Sequence, residues 1–265
     1  MRNHQKESLF FNAEKQELTI VPGAILTEPI ALAAYGYYLR VYVGAGACVT
    51  VSDAQLLGNA AASCTFVLGA HSVVQYWLEL SNNVQHCAPM VYMQEPLVNG
   101  VRGYRASVSV RVILQGQCAN FAGVICVRGF SEGALEIALV QQHEAPHTAS
   151  TFAVRQALIP GSASTVHGSI IVERSAHHVY AQQQLRGIVV ESEKNSKKSC
   201  CLETVFGAPS FCMRPTLAVA NHTSVVKHGC AVGELDSEQL FYMQARGVPL
   251  PRAKELLLMA FFACP

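Results

Sequence analysis

The sequence predicts an all-β solenoid that ends in a helical hairpin. Three features predict it: apolar residues alternate at strand period over most of the chain, a glycine turn signature keeps returning between the alternating runs, and the pattern changes to capped helices after Asp236.

The lead-in, residues 1–17, opens on the polar run Met1-Arg2-Asn3-His4-Gln5-Lys6-Glu7 and lacks the apolar segment of a secretory signal, so the expected location is the cytoplasm. Residues 18–235 form the predicted β core. Val74, Tyr76, Leu78 and Leu80 alternate, as do Leu135, Ile137 and Leu139. In Ser107-Val108-Ser109-Val110-Arg111-Val112 the three valines fall on one face. Between such runs come Gly46-Ala47-Cys48, Gly69-Ala70-His71, Gly116-Gln117-Cys118, Gly133-Ala134-Leu135 and Gly161-Ser162-Ala163, at spacings of 23, 47, 17 and 28 residues. A sandwich would place turns every ~8–12 residues. A solenoid, in which each coil buries its inner side chains only against the coils next to it, fits the longer intervals better. The polar stretch from Glu191 to Ser199 is expected to be a solvated loop. Residues 236–265 read as two helices. Asp236 caps the first, with Gln239 as capping-box partner and Leu240, Phe241 and Met243 as its apolar side. Gly247 closes it, and a second helix starting near Arg252 carries Leu256, Leu257, Met259 and Ala260.

Composition narrows the function. In 265 residues, 51% are hydrophobic and 14% charged, and 19 Lys plus Arg against 18 Asp plus Glu leave a formal charge of +1. That balance speaks against a nucleic-acid partner. The longest apolar run, Leu256 to Cys264, is too short to span a membrane. Ten cysteines are scattered without a C-x-x-C pair and are expected to be reduced thiols, with Cys48, Cys64, Cys118 and Cys126 filling core space. No phosphate-binding glycine loop or hydrolase motif occurs, so the chain is not expected to be an enzyme and ATP would have to come with a partner. A polysaccharide hydrolase or lyase on a solenoid would need clustered carboxylates, and the 18 acids form no D-x-D set. His143-Glu144-Ala145-Pro146-His147 and His177-His178 match no established metal spacing, and adjacent strand residues face opposite ways. His228 and Cys230 stand two residues apart, on one face if extended, and form a soft ligand pair suited to iron or zinc.

Arg214-Pro215-Thr216-Leu217, Lys227-His228-Gly229-Cys230-Ala231-Val232-Gly233-Glu234-Leu235-Asp236, Gln239-Leu240-Phe241-Tyr242 and Arg246-Gly247 resemble the carboxyl end of the SufB/SufD iron–sulfur assembly family, whose pattern there is S-H-G-A-T-V-G-x-[LI]-D-x-x-x-[LI]-F-Y-L-R-S-R-G. His143 to Ser150 look like the family's H-x-A-P-H-T-x-S stretch. Ala176 to Gln183 with Arg186 loosely follow its A-Q-K-T-D-A-Y-Q-x-N-R-N segment, and Leu18 to Pro29 with Val43 to Ala47 fit its entry into the β core. The His-Gly pair favours a SufD-like member. The resemblance implies a right-handed parallel β-helix flanked by helices, and a scaffold that pairs with a SufB-like protein and binds the ABC ATPase SufC. It implies no stably bound cofactor, but transient iron or an iron–sulfur cluster at the SufB contact, with His228 and Cys230 as candidate ligands. Leu240, Phe241, Tyr242, Arg246 and Gly247 are the implied SufC-docking residues; Pro215, Leu217, Val219 and His228 are the implied SufB contacts. A homodimer is expected when the partner is missing, because a solenoid leaves open strand edges.

The chain also departs from the family. Val226 replaces a family cysteine, Cys230 an alanine and Tyr180 an aspartate; Thr151 or Phe152 stands where the arginine is usual; Ser192 to Met213 is a longer turn that holds Cys200, Cys201 and Cys212; and the amino-terminal helical region of the family is expected to be missing. An alternative reading is therefore a degenerate paralogue that stabilises the complex without touching the cluster.

Overall fold

The computed structural model describes residues 8–36, 38–56, 61–81, 104–130, 133–159, 161–190 and 209–263. From Tyr38 onward, strands that follow one another in the chain fall in opposite sheets, because each alternating run buries one face and then turns. One sheet stacks β2 (Glu17–Ile20), β3 (Tyr38–Val43), β5 (Ala61–Leu68), β7 (Tyr104–Leu114), β9 (Gly133–His143), β11 (Ser162–Val172) and β13 (Ser210–Val219). The other stacks β4 (Cys48–Leu56), β6 (Val73–Ser81), β8 (Asn120–Phe130), β10 (Ala149–Leu158), β12 (Tyr180–Val189) and β14 (Val225–Glu234). These neighbours are parallel; β1 (Leu9–Asn12) adds antiparallel to β2. The architecture is a parallel β-solenoid, as the alternation predicts.

The period is clearest in the middle, where β7, β9 and β11 begin at residues 104, 133 and 162. The long interval from Gly69 to Gly116 contains residues 82–103, and a second long interval, before β13, contains 191–208; both lie outside the described residues, as do the expected loop from Glu191 to Ser199 and Cys200 and Cys201. Inside the coils, Val108, Val110 and Val112 are buried as the alternation requires. Phe66, Phe121 and Phe152 stack across successive rungs with ring centroids 5.6 and 5.7 Å apart.

The corners leading into the strands of the second sheet from β4 to β12 have one repeated form. Gly44-Ala45-Gly46-Ala47, Gly69-Ala70-His71-Ser72, Gly116-Gln117-Cys118-Ala119, Ala145-Pro146-His147-Thr148 and Ala176-His177-His178-Val179 each enter their strand on the next residue. The third residue is left-handed: φ is 70° at Gly46, 56° at His71, 57° at Cys118, 59° at His147 and 56° at His178. Up to His147 its N–H donates to the second residue's carbonyl one rung on, as in Gly46 to Ala70 at 2.7 Å, His71 to Gln117 at 2.9 Å and His147 to His177 at 2.8 Å, whereas the His178 N–H donates to the Thr223 hydroxyl. A left-handed residue with a Cβ costs ~1–2 kcal/mol, and the stacked bond offsets part of this. Two of the expected core cysteines thus have other places: Cys118 occupies a corner and is exposed, and Cys48 is exposed at the start of β4. Cys126 is buried and Cys64 half-buried; burial pushes the Cys126 thiol up to about 11 and raises Cys64 further.

Asp236 caps α1 (Ser237–Ala245), accepting from the Glu238 and Gln239 N–H groups. Gly247, at φ 84°, ends it. The second helix, α2 (Leu250–Phe262), starts two residues before Arg252, with Pro251 in its first turn, where a missing N–H costs nothing. Its buried side also differs from expectation. Met259 and Ala260 are exposed, while Ala253 and Phe262 are buried, and Leu258, Phe261 and Phe262 pack on Trp77, Val124, Cys126, Ala157 and Val190 on the outer face of the second sheet. Arg155 donates to the Phe261 carbonyl at 2.6 Å, and Arg128, paired with Glu79 at 3.0 Å, lies 4.7 Å from the Phe262 ring centroid. No helix among the described residues is long and apolar enough to cross a membrane.

Candidate functional site: the last rung

In a parallel pair, residues in register point to the same side, so the buried columns of β11 and β12 assign the faces of β13 and β14. Ser164, Val166, Gly168, Ile170 and Val172 face inward and align with Phe211, Met213, Pro215, Leu217 and Val219. Ala181, Gln183 and Leu185 face inward and align with Val226, His228 and Cys230. Packing agrees: Phe211 and Met213 join the main core, and Val226 packs on the cluster of Ile170, Val172 and Ala181.

β13 and β14 are each the final strand of their sheet. Among the described residues their inner column therefore has no rung above it, and Leu217, Val219 and Val232 are 44%, 41% and 52% exposed. The structure brings Pro215, Leu217, Val219, His228 and Cys230 together on this open end. His228 and Cys230 are both exposed and share a face, as their spacing requires. Among the described residues no three His, Cys, Asp or Glu side chains converge as a metal cage. His228 and Cys230 thus offer two ligands, and a complete coordination shell needs donors from elsewhere.

Sequence reasoning missed the floor of this site. The core turns polar toward the last rung: Gln141, His143, Thr148, Ser150, Gln156, Ser164 and Gln183 are buried. Thr148 Oγ1 donates to the Ala145 carbonyl at 3.1 Å, so it accepts from His143 Nδ1–H at 2.7 Å. His143 Nε2 then accepts from the Ser150 hydroxyl at 2.8 Å, and Ser150 in turn accepts from Gln141 Nε2 at 2.7 Å. Gln183 Nε2 donates to Gln141 Oε1 at 3.1 Å, completing a chain in which the imidazole is neutral and its tautomer fixed. Burial pushes the His143 pKa down to about 4. Among the described residues, Gln183 Oε1, both amide atoms of Gln156 and Ser164 Oγ have no hydrogen-bond partner. Gln183 lies directly beneath His228 in register. The available signal was a set of polar residues at inward parity.

On α1, Leu240 and Met243 are half-buried, but Phe241 and Tyr242 are 73% and 60% exposed. Phe241 therefore leaves the apolar side assigned to it. Arg246, one turn on, places its guanidinium 5.2 Å from the Tyr242 ring centroid, and Gly247 is exposed. Cys212 aligns with Thr165, on the outer face of β13, and stays apart from His228 and Cys230.

A search of curated proteins finds no significant match to the chain. Residues 210–261, which contain the last rung, α1 and nearly all of α2, match the family described as SUF system FeS cluster assembly, SufBD core domain, and this match supports the SufB/SufD family and a role in iron–sulfur cluster assembly.

Proposed function

We propose that the chain is a SufD-like, non-enzymatic scaffold subunit that pairs with a SufB-like protein through its last rung and receives a SufC-like ABC ATPase on α1. One observation carries this reading: the segment that matches the SufBD core begins with the last rung, whose open inner column holds apolar side chains beside His228 and Cys230. Free strand edges invite pairing, and a partner strand would cover both the unpaired backbone groups and Leu217, Val219 and Val232. Iron or a nascent cluster is cargo at that contact, held between His228, with Cys230 nearby, and donors of the partner. Without a partner the same edges pair two copies of the chain.

Anaerobic co-expression with the partners tests the cluster role. His228→Ala should recover the complex in unchanged subunit ratio with cluster absorbance lowered several-fold, and Cys230→Ala should lower it less. Normal cluster loading on an intact His228→Ala complex would remove His228 from the site.

The ATPase contact has its own test. Exposed aromatic anchors cost ≥ ~2 kcal/mol each when truncated at an interface, roughly 30-fold in Kd. Phe241→Ala with Tyr242→Ala should abolish ATPase recovery and leave the melting temperature within a degree or two, since neither side chain is buried. Undiminished recovery would refute the docking assignment. Deleting residues 236–265 is a poorer test, because it uncovers Cys126 and Ala157 where α2 packs.

A further inference from the structure

We infer that the corner ahead of the second sheet is a binding site for a divalent transition metal, built on His147 and His178. The left-handed position of this corner holds glycine in the early rungs, at Gly23 and Gly46, and then His71, Cys118, His147 and His178 in four successive rungs. Glycine, asparagine or aspartate satisfies such a backbone most readily. Histidine tolerates such a backbone better than most residues with a Cβ, whereas cysteine does not, so backbone preference accounts for the imidazoles only in part and leaves the thiol among them unexplained. All four side chains are exposed, so core packing does not explain them either. Stacking on parallel strands sets neighbouring positions about 4.8 Å apart, and the His147 and His178 rings lie 5.2 Å apart at 15°.

The second corner position adds His177 and, one rung on, His222, so five of the ten histidines in the chain lie on this corner. The His177 ring is 3.4 Å from Thr223 Oγ1, the hydroxyl that accepts from the His178 N–H at 3.2 Å. As placed, His147, His178 and Cys118 form no ready-made cage; binding requires the two exposed histidines to rotate about their side-chain torsions so that each turns a nitrogen toward a shared ion, with Cys118 on the adjoining rung as a third donor. Imidazole with thiolate is the donor set of Zn²⁺ and its neighbours in the first transition row, not of Mg²⁺ or Ca²⁺. The inference does not depend on the role proposed for the last rung.

Calorimetric titration of the full chain with Zn²⁺ tests it, in a His228→Ala/Cys230→Ala background that removes the ligand pair of the last rung. We expect His147→Asn/His178→Asn to lose one equivalent of micromolar binding and Cys118→Gly to weaken that equivalent several-fold; asparagine and glycine both keep the left-handed backbone. The same stoichiometry and affinity in the double asparagine variant would overturn the site. Carbethoxylation by diethyl pyrocarbonate, mapped by mass spectrometry on the unmodified chain, gives a second readout should that variant fail to fold. Zn²⁺ should protect His147 and His178 by at least five-fold; equal labelling with and without Zn²⁺ would overturn the proposal.

Discussion

Gly116→Ala should cost the chain several kcal/mol and lower its melting temperature by about 10 °C. Gly116 opens the corner before β8, and a Cβ there would run into the backbone of Gly69 and Ala70 in the preceding corner. Overpacking against movable side chains costs ~1–3 kcal/mol, and backbone that is itself stacked and hydrogen-bonded yields less. The Gly116 N–H already donates to the Leu68 carbonyl at 3.0 Å, and the Cys118 N–H to Pro146 at 3.3 Å, so a shift at this corner disturbs bonds to the rungs on both sides. In a solenoid, stability is a sum over neighbouring interfaces, so a defect in the middle uncouples the rungs before it from those after it. Gly229→Ala is the control. A Cβ at Gly229 meets nothing within 4 Å, and a substitution there should change stability by no more than about 0.5 kcal/mol. Thermal melts of the two variants decide the matter; equal melting temperatures would mean that the corners do not stack as closely as described.

Alternation made the solenoid legible because each strand is buried on one side by its own sheet's curvature toward the other. Val108, Val110 and Val112 needed no knowledge of distant residues to be assigned to one face. The corners were legible only in part. Gly69 and Gly116 marked them, but the residue that adopts the left-handed backbone is two positions further on and is His71 or Cys118. Sequence reasoning treats such residues through their side-chain chemistry and gives no sign that they share a column with His147 and His178. That column exists only because residues 71, 118, 147 and 178 are brought into register by pairing across the rungs, a non-local fact. The same holds at the last rung. The two-residue spacing placed His228 and Cys230 on one face, but whether that face was inside or outside depended on Gln183 and Leu185 beneath them. The helices show the opposite balance: the caps at Asp236 and Gly247 are local and were legible, whereas the buried side of α2 is chosen by Trp77, Cys126 and Ala157 and was not.

Acid should weaken the fold by about 3 kcal/mol through His143 alone. The imidazole, ordinarily near 6.5, is pushed down to about 4 by burial, and its hydrogen bonds run in one direction: Nδ1–H donates to Thr148 and Nε2 accepts from Ser150. A proton on Nε2 would face the Ser150 oxygen, which already accepts from Gln141. The folded chain thus binds the proton more weakly than the unfolded chain. Its contribution to stability is fully present above pH 6.5 and is lost as pH falls from 6.5 through about 4. Between pH 7.5 and 4.5 the unmodified chain should lose roughly 2–3 kcal/mol more than His143→Gln, read from urea midpoints at each pH. Carboxylates titrate equally in both proteins and cancel in the comparison. Parallel pH profiles would mean that His143 is solvated or protonated in the native state. The consequence reaches the open end of the solenoid, because the chain of bonds from His143 runs through Ser150 and Gln141 to Gln183, on which His228 stands. Protonating His143 makes Nε2 a donor toward Ser150 Oγ, which can accept it beside the Gln141 N–H but whose own hydroxyl proton then loses its acceptor, so the chain that carries Gln183 is disturbed first at Ser150.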